Sequence, residues 1–451
     1  MSTAFGTSAR PDVRTGLPGP KSAEYLARQD SRESNARTYP RRLPVALERG
    51  EGAYVEDVDG NVFLDFLAGA GVLALGHNHP EVVAAVEQQL GKLVHGLDLP
   101  TPVKDEFTEA HLALLPEPMR ARTKVHFCGP TGANAVEAAL KLCKSHTGRP
   151  DVITFQGGFH GSTHGAMAVT GYVAPKAAVP GGMPDAHFFP YSYCYRCPLG
   201  LDASGCDTNC ATYLENSLRD THGGIPKPAA VLLELVQGEG GVIPATQEFA
   251  TRVAHLAKEL GAPLIVDEIQ TGYGRTGSWF AFERYGLEPD VVVASKAAGG
   301  IGLPVSVMFY DRALDTWGAG AHIGTFRGHQ LAFAASVAAL RVMRRDDVLG
   351  NVAARGAQLR AGLDRLAETD AALGDVRGAG LMLGVEIVDP ATGAPDPARA
   401  AGIQRSALNR GLIVELGGRA DAVVRLLPPL TIDAPTVDLA LEILAGAVAA
   451  G

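Results

Sequence analysis

The sequence predicts an α/β fold with a mostly parallel sheet in a large domain and a smaller α+β domain. Short runs rich in Val and Ile alternate with helical patterns from about residue 85 to residue 310. Such runs are typical of parallel strands that are covered on both faces. After residue 330 the pattern changes to long helices with short strands between them. A chain of 451 residues fits one large domain with one or two smaller ones.

Composition and charge argue against several classes of protein. Apolar residues make up 46% of the chain, enough for a sizeable core, and the net charge of −9 comes from interspersed acids and bases. Because there is no basic stripe, nucleic-acid binding is not expected. The opening residues lack the apolar core of a signal peptide, and no run reaches the roughly 18 apolar residues of a membrane span. We therefore expect a cytoplasmic protein without a membrane partner.

We expect three parts along the chain. Residues 1–84 form an N-terminal arm, mobile over about its first 20 residues, and a hairpin that turns near Gly60 and belongs to the small domain. Residues 85–330 form the large domain, with a cysteine-containing insert at 190–212. Residues 331–451 form the C-terminal small domain.

Each predicted strand and helix follows from its local pattern of apolar residues. The predicted strands of the large sheet are 124–129, 151–157, 229–236, 262–268, 290–295 and 304–310. Helices are predicted at 133–146, 329–348, 351–368, 398–410 and 435–450, with small-domain strands at 378–388, 412–416 and 422–427. Open parallel sheets bind ligands beyond the carboxyl ends of their strands, so the functional residues should lie there.

Chemically capable residues follow these strands. Asp267 ends the run PLIVD, and Lys296 directly follows VVVAS. Gln270 follows the same strand as Asp267. The others are Thr131, Gly132 and Ala133 at a helix start, and Phe159, His160 and Glu234 after further strands. Pyridoxal phosphate needs such a set: a lysine for a Schiff base, a carboxylate for the pyridine nitrogen, backbone amides for the phosphate and an aromatic face for the ring.

Each of these residues alone has a more common structural explanation. Asp267 could cap a helix, Lys296 could be a solvated loop lysine, and Thr131 could be a plain helix cap. Phe159 could be a core residue, and His160 could be a hydrogen-bonded structural histidine. Their shared position at one sheet edge favours a pyridoxal-phosphate site over these separate explanations.

A long stretch resembles a known family. LIVDEIQTGYGRTGSWFAFERYGLEPDVVVASKAAGG (264–300) is similar to the cofactor signature of class III, omega-amino-acid aminotransferases, and the resemblance extends over about residues 45–450. FCGPTGANAVEAALKL and PYSYCYRCPLGL most resemble the L-2,4-diaminobutyrate:2-oxoglutarate aminotransferases of that family. The resemblance implies the fold-type I architecture of pyridoxal-phosphate-dependent transferases, with a seven-stranded sheet.

The resemblance also implies a role for each site residue. Lys296 would bind the cofactor as a Schiff base and move the proton, and Asp267 would pair with the pyridine nitrogen. Arg425 would bind the α-carboxylate of glutamate or 2-oxoglutarate, and Glu239 would cover this arginine when the donor lacks that carboxylate. Further cofactor contacts would come from Thr131, Gly132, Ala133, Phe159, His160, Glu234, Gln270 and Thr325. Phe159 would stack on the ring, and Gln270 would approach its hydroxyl group.

Thr325, in GTFRG, would reach the phosphate of the neighbouring subunit's cofactor, which implies a homodimer with composite sites. The implied reaction moves an amino group from an omega-amine donor, foremost the 4-amino group of L-2,4-diaminobutyrate, to 2-oxoglutarate. Ser162 stands where 4-aminobutyrate and ornithine aminotransferases carry an arginine, which argues against those two substrates. Another omega-amino or diamino donor remains an alternative, as does an aminomutase, racemase or decarboxylase on the same scaffold.

Four of the six cysteines lie in the insert. Cys194, Cys197, Cys206 and Cys210 have the spacing of a possible structural zinc or iron–sulfur loop. The alternative is a loop with four free thiols. The implied mechanism needs no metal, and a metal-binding interaction protein built around this loop would leave the strand-end residues unexplained.

Overall fold

A seven-stranded sheet forms the centre of the fold in a computed structural model, which describes residues 10–179 and 185–450. The strands in chain order are β1 Leu47–Glu51, β2 Tyr54–Asp57, β3 Val62–Asp65, β4 Thr123–Gly129, β5 Val152–Phe155, β6 Ala186–Phe189, β7 Ala230–Leu233, β8 Val236–Gln237, β9 Ile243–Pro244, β10 Leu264–Asp267, β11 Val291–Ala294, β12 Ser306–Asp311, β13 Leu373–Ala379, β14 Met382–Ile387, β15 Leu412–Ile413, β16 Glu415–Gly417 and β17 Val423–Leu426. The central sheet has the order β4-β12-β11-β10-β7-β5-β6, in which only β12 runs antiparallel to its neighbours. The predicted α/β fold with a mostly parallel sheet is confirmed.

Helices cover both faces of this sheet, which explains why its strands are apolar throughout. In β11, Val291 and Val293 belong to one buried cluster with the helix Gly132–Thr147, whereas Val292 and Ala294 belong to a second cluster with the helix Gln247–Leu260. The other long helices are Pro20–Arg32, Pro80–Leu90, Pro102–Leu112, Asn209–Arg219, Gln330–Arg345, Val348–Thr369, Pro397–Asn409 and Ala434–Val448. Short helices cover Glu117–Arg120, His164–Ala168, Val173–Ala177 and Ala281–Arg284.

Two four-stranded sheets combine distant parts of the chain and differ in detail from the sequence prediction. One has the order β1-β2-β3-β15 and the other β13-β14-β17-β16. The single strand predicted at 378–388 is wrong, because Gly380 turns the chain with φ of +55° between β13 and β14. The strand predicted at 412–416 is divided between the two sheets, so that Leu412 pairs with β3 and Glu415 with β17.

The N-terminal arm is docked where the structure describes it. Asp12 and Val62 exchange two backbone hydrogen bonds of 2.9 and 3.0 Å, and the amide of Arg14 donates to the Asn61 side chain at 2.8 Å. These bonds hold residues 12–14 against the predicted hairpin, while the expected mobility of the arm stays a prediction. Residues 1–9, which the prediction also covered, lie outside the described part.

Within residues 10–179 and 185–450, no helix combines the length and apolar character that a membrane crossing requires. The domain boundaries near residues 84 and 330 stay a prediction.

Gly328 allows two segments of the chain to approach closely. A Cβ added there would lie 1.9 Å from the carbonyl oxygen of Leu97, and a backbone group cannot rotate away as a side chain can. We predict that Gly328→Ala lowers the free energy of unfolding by about 1–3 kcal/mol, as other overpacking substitutions do. Scanning calorimetry should show a lower Tm for this variant but not for Gly205→Ala, whose added methyl group meets open space. Equal Tm values for the two variants would contradict the steric argument.

Candidate active site

Two neighbouring parallel strands bring an acid and a lysine to the same edge of the central sheet. Asp267 is the last residue of β10 and pairs in register with Val293 of β11. Lys296 follows β11 after a single residue, Ser295. The structure thus places the two principal predicted residues together at the carboxyl edge of the sheet, as expected for ligand binding in open α/β sheets.

The Asp267 carboxylate is buried and held in one orientation. Its Oδ2 lies 2.8 Å from Nδ1 of His160, and its Oδ1 accepts a hydrogen bond of 3.0 Å from the amide of Ile269. Both side chains are at least 95% buried. Burial lowers the pKa of His160, but the hydrogen bond to Asp267 and the nearby carboxylates raise it, and the net shift is upward. The contact with His160 therefore fixes the orientation of the Asp267 carboxylate.

Lys296 is held in an unusual backbone conformation with its amine turned toward the site. Its φ is +48°, in the left-handed region that a lysine seldom adopts. Its Nζ donates a hydrogen bond of 3.0 Å to the carbonyl of Ala70, itself in a left-handed turn with φ of +58°. Burial lowers the pKa of the Lys296 amine, which increases the share of neutral, nucleophilic amine near neutral pH.

A helix start lies beside this pair. The helix Gly132–Thr147 begins directly after Thr131, whose amide donates to the side chain of Asn134 at 3.2 Å. A Cβ at Gly132 would lie 2.7 Å from the side chain of Ile269, two residues beyond Asp267. The first amides of a helix have no intrahelical acceptors, so Gly132 and Ala133 offer donors for an anion near the carboxylate.

Glu234 ties two loops together at the same edge. Its Oε2 accepts a hydrogen bond of 2.8 Å from the amide of Phe159, and its Oε1 accepts one of 3.0 Å from the amide of Gly238. Burial raises the pKa of Glu234 to about 7, an effect that the His160 charge opposes. The structure thus shows Glu234 positioning half-buried Phe159, while a direct contact with a cofactor stays a prediction.

Arg425 lies at the centre of a second charged group. It is fully buried, and its Nη1 lies 2.8 Å from Oε1 of Glu239. Its Nη2 donates to Oε1 of Gln270 at 3.1 Å, and Gln270 in turn donates to the carbonyl of Ala70 at 3.2 Å. Because Lys296 donates to the same carbonyl, Gln270 connects the lysine with the arginine. The predicted approach of Gln270 to a ring hydroxyl stays untested.

Sequence reasoning missed two members of this group. Glu415 Oε2 lies 3.3 Å from Nη1 of Arg425, and Tyr39 lies close enough to the Glu415 carboxyl for burial and that charge to raise the pKa of its phenol. A glutamate inside the apolar run LIVEL was the available signal, since a buried acid needs a partner. Tyr39 had no local signal.

Thr325 lies in an exposed segment. Its carbonyl accepts a hydrogen bond of 2.8 Å from Nε2 of His95, and its neighbours Ile323 and Phe326 are 79% and 65% exposed. Its predicted contact with a neighbouring subunit's cofactor stays a prediction.

The cysteine insert contacts the active-site segments through Tyr193. The Tyr193 hydroxyl donates to Glu386 of β14, and its ring lies 5.0 and 5.2 Å from the guanidinium carbons of Arg377 and Arg419. Arg419 donates to the carbonyl of Gly240, next to Glu239, at 2.9 Å. The insert therefore helps to hold the segment that carries Glu239.

All four insert cysteines, Cys194, Cys197, Cys206 and Cys210, are free thiols. Burial and the neighbouring thiols raise the pKa of Cys194 and that of Cys210, the latter to about 11. Across the described residues, no three or more ligand side chains are arranged to hold a metal ion. The possible metal site stays a prediction.

Comparison with known proteins agrees with this geometry. The family model "Aminotransferase class-III" matches residues 35–448. The chain is 51% identical to a diaminobutyrate–2-oxoglutarate aminotransferase of Rhizobium meliloti, over 95% of this chain and 92% of the relative. It is 46% identical to a protein of the same name from Haemophilus influenzae, over 91% of each chain.

Among solved structures, an omega-transaminase from Thermomicrobium roseum superposes with a TM-score of 0.85 at 27% identity, over 97% of this chain and 99% of that one. An amine transaminase from an uncultivated Pseudomonas species, solved in a PLP-bound form, gives a TM-score of 0.84 at 28% identity, over 93% and 98% of the two chains. The α/β fold and the residues of the site together define a transaminase. The chain belongs to the class III aminotransferase family.

We predict that Asp267→Asn leaves the fold intact but lowers the transamination rate by roughly 10²–10³, the usual effect of removing one preorganised polar contact from an active site. Asp290→Asn is the matched control, because Asp290 precedes the opposite end of β11 and accepts a hydrogen bond from the amide of Leu264. Coupled glutamate-release assays and circular dichroism of both variants provide the comparison. An Asp267→Asn enzyme within tenfold of the control would show that the carboxylate charge is dispensable.

Proposed function

We propose that the protein transfers the 4-amino group of L-2,4-diaminobutyrate to 2-oxoglutarate, with pyridoxal 5′-phosphate as cofactor, giving L-aspartate 4-semialdehyde and L-glutamate. The relatives of 51% and 46% identity carry the corresponding name. The observation that carries the proposal is the contact between Arg425 and Glu239, because it supplies a carboxylate-binding group with a removable counter-charge. The cytoplasmic location stays a prediction.

The residues at the sheet edge fit pyridoxal phosphate. The buried, oriented carboxylate of Asp267 suits the pyridine nitrogen, and the Lys296 amine with its lowered pKa suits covalent attachment. The free amides of Gly132 and Ala133 suit the phosphate, and Phe159 suits the ring face. When bound, the cofactor supplies an electron sink for the carbon that carries the transferred amine.

The protein's own groups perform the remaining work. The Nζ atom of Lys296 would take the proton from the carbon that carries the amine and deliver it to C4′ of the cofactor. In the acceptor half-reaction, the Arg425 guanidinium binds the α-carboxylate of 2-oxoglutarate in place of Glu239. In the donor half-reaction no carboxylate arrives there, and Glu239 keeps the buried guanidinium paired.

A second copy of the chain is proposed to complete the site. Seven large apolar residues are exposed on two segments: Leu90, Leu93, Val94, Leu97, Leu99, Ile323 and Phe326. The segments are joined by backbone hydrogen bonds from Gly96 to Gly328 and from Gln330 to Val94. Contiguous apolar patches of this kind favour protein association, and the exposed Thr325 lies within this one.

We predict that Arg425→Lys and Glu239→Gln impair different half-reactions. Lysine keeps the positive charge but cannot make the bidentate hydrogen bonds of arginine to the α-carboxylate. The glutamate half-reaction should therefore slow by roughly 30-fold or more. Glu239→Gln should weaken the diaminobutyrate half-reaction, because the arginine loses its counter-charge, and leave glutamate handled as well or better. Single-turnover absorbance of the cofactor measures each half-reaction. Equal slowing of both half-reactions in both variants would disprove the proposed exchange.

A further inference from the structure

The loop that carries Glu239, residues 238–241, is held by hydrogen bonds to three consecutive backbone carbonyls. All three donors come from the C-terminal part of the chain. The bonds, each of 2.9 Å, run from the Gly418 amide to Glu239, from Arg419 Nη1 to Gly240 and from Arg377 Nε to Gly241. These bonds fix the course of the loop backbone on both sides of the Glu239 Cα atom.

The loop is also packed closely against the groups that bind it. A Cβ added at Gly241 would lie 3.0 Å from Nη2 of Arg377 and 3.0 Å from the Cα atom of Gly418. Glu239 is the only residue of the loop with a side chain, since the other three are glycine. Its contact with Arg425 therefore depends on where the backbone bonds hold its Cα atom. We expect Glu239 to leave the arginine by rotation of its side chain, which is 36% exposed.

The cysteine insert fixes two of the three donors. The ring of Tyr193 lies 5.0 Å from the guanidinium carbon of Arg377 and 5.2 Å from that of Arg419. A cation over an aromatic ring is attracted by the negative face of the ring. The Tyr193 hydroxyl donates to Glu386, which also lies 2.7 Å from Nη1 of Arg377. The insert thereby holds both arginines that bind the loop.

The two arginines differ in how many groups they bind. Arg377 is 7% exposed and also pairs with Asp375 and Glu386, so its replacement would disturb a buried set of charges. Among the described residues, the bond to Gly240 is the one hydrogen bond of the Arg419 side chain. Arg419 therefore acts on the loop through a single polar contact that a substitution can remove.

We propose that Arg419 is a positioning residue that keeps Glu239 in contact with Arg425 and so favours donors that lack an α-carboxylate at this arginine. This inference rests on the proposed function. In the donor half-reaction Glu239 pairs with the buried guanidinium, and a shift of its Cα atom would lengthen the contact of 2.8 Å. In the glutamate half-reaction Glu239 has left the arginine, so the position of the loop matters less.

The test measures both half-reactions of the holoenzyme in Arg419→Gln by single-turnover absorbance of the cofactor. Glutamine is shorter and uncharged, so the bond to Gly240 is lost. The rate with diaminobutyrate should fall by roughly tenfold, the effect of losing one hydrogen bond from a charged group. The rate with glutamate should stay within about threefold of the wild-type rate. Arg419→Lys keeps a charged donor and should restore part of the rate with diaminobutyrate.

Hydrogen–deuterium exchange gives a second measurement that does not depend on turnover. The peptide that spans residues 236–244 should exchange faster in Arg419→Gln than in the wild-type enzyme, because a loop held by fewer contacts opens more readily.

Arg196→Gln is the matched control. Arg196 lies in the same insert and donates to the same Glu386, but its second acceptor is the carbonyl of Gly393, at 2.8 Å, rather than the loop that carries Glu239. Both half-reactions should stay within about threefold of the wild-type rates, and exchange of the 236–244 peptide should be unchanged.

Two results would overturn the inference while leaving the proposed function intact. One is equal slowing of the diaminobutyrate and glutamate half-reactions in Arg419→Gln, which would make Arg419 a structural residue only. The other is an unchanged diaminobutyrate rate with unchanged exchange of the loop peptide. A wild-type enzyme that takes no amino group from diaminobutyrate would refute the proposed function, and the exchange measurement would still show whether Arg419 holds the loop.

Discussion

The parallel pairing of β10 with β11 is the constraint on which the site depends. It aligns Asp267 with Val293, so that Lys296 leaves the sheet beside the carboxylate. Both strands are buried on both faces, and a slip of one residue would move every side chain to the opposite face. The core that fixes this register therefore also fixes the separation of acid and amine.

Around this pair, buried charges are joined into a connected set. Asp267 is paired with His160, and the Ala70 carbonyl receives hydrogen bonds from both Lys296 and Gln270. Gln270 continues the set to Arg425. Burying an isolated charge costs several kcal/mol of desolvation free energy. Each buried ionic group here is therefore stabilised by the neighbour with which it pairs. A substrate that replaces one partner changes the electrostatic surroundings of the others.

Site residues that directly follow the strands of the central sheet could be predicted from the sequence. Site residues whose position depends on pairing between distant segments could not. Asp267 and Lys296 could be predicted because the ends of parallel strands meet at one edge. The place of Glu415 depends on the division of a single apolar run between two sheets, which local periodicity does not encode. The docking of Tyr39 beside Glu415 and the left-handed turn at Ala70 likewise arise from contacts between distant segments.

Lys296 is the residue to which we propose that the cofactor attaches. Borohydride reduction of the holoenzyme, followed by peptide mapping with mass spectrometry, tests it most directly, because reduction makes the attachment permanent. We expect the added mass of the reduced cofactor on the peptide that contains Lys296. Added mass on a peptide carrying any other lysine would contradict it.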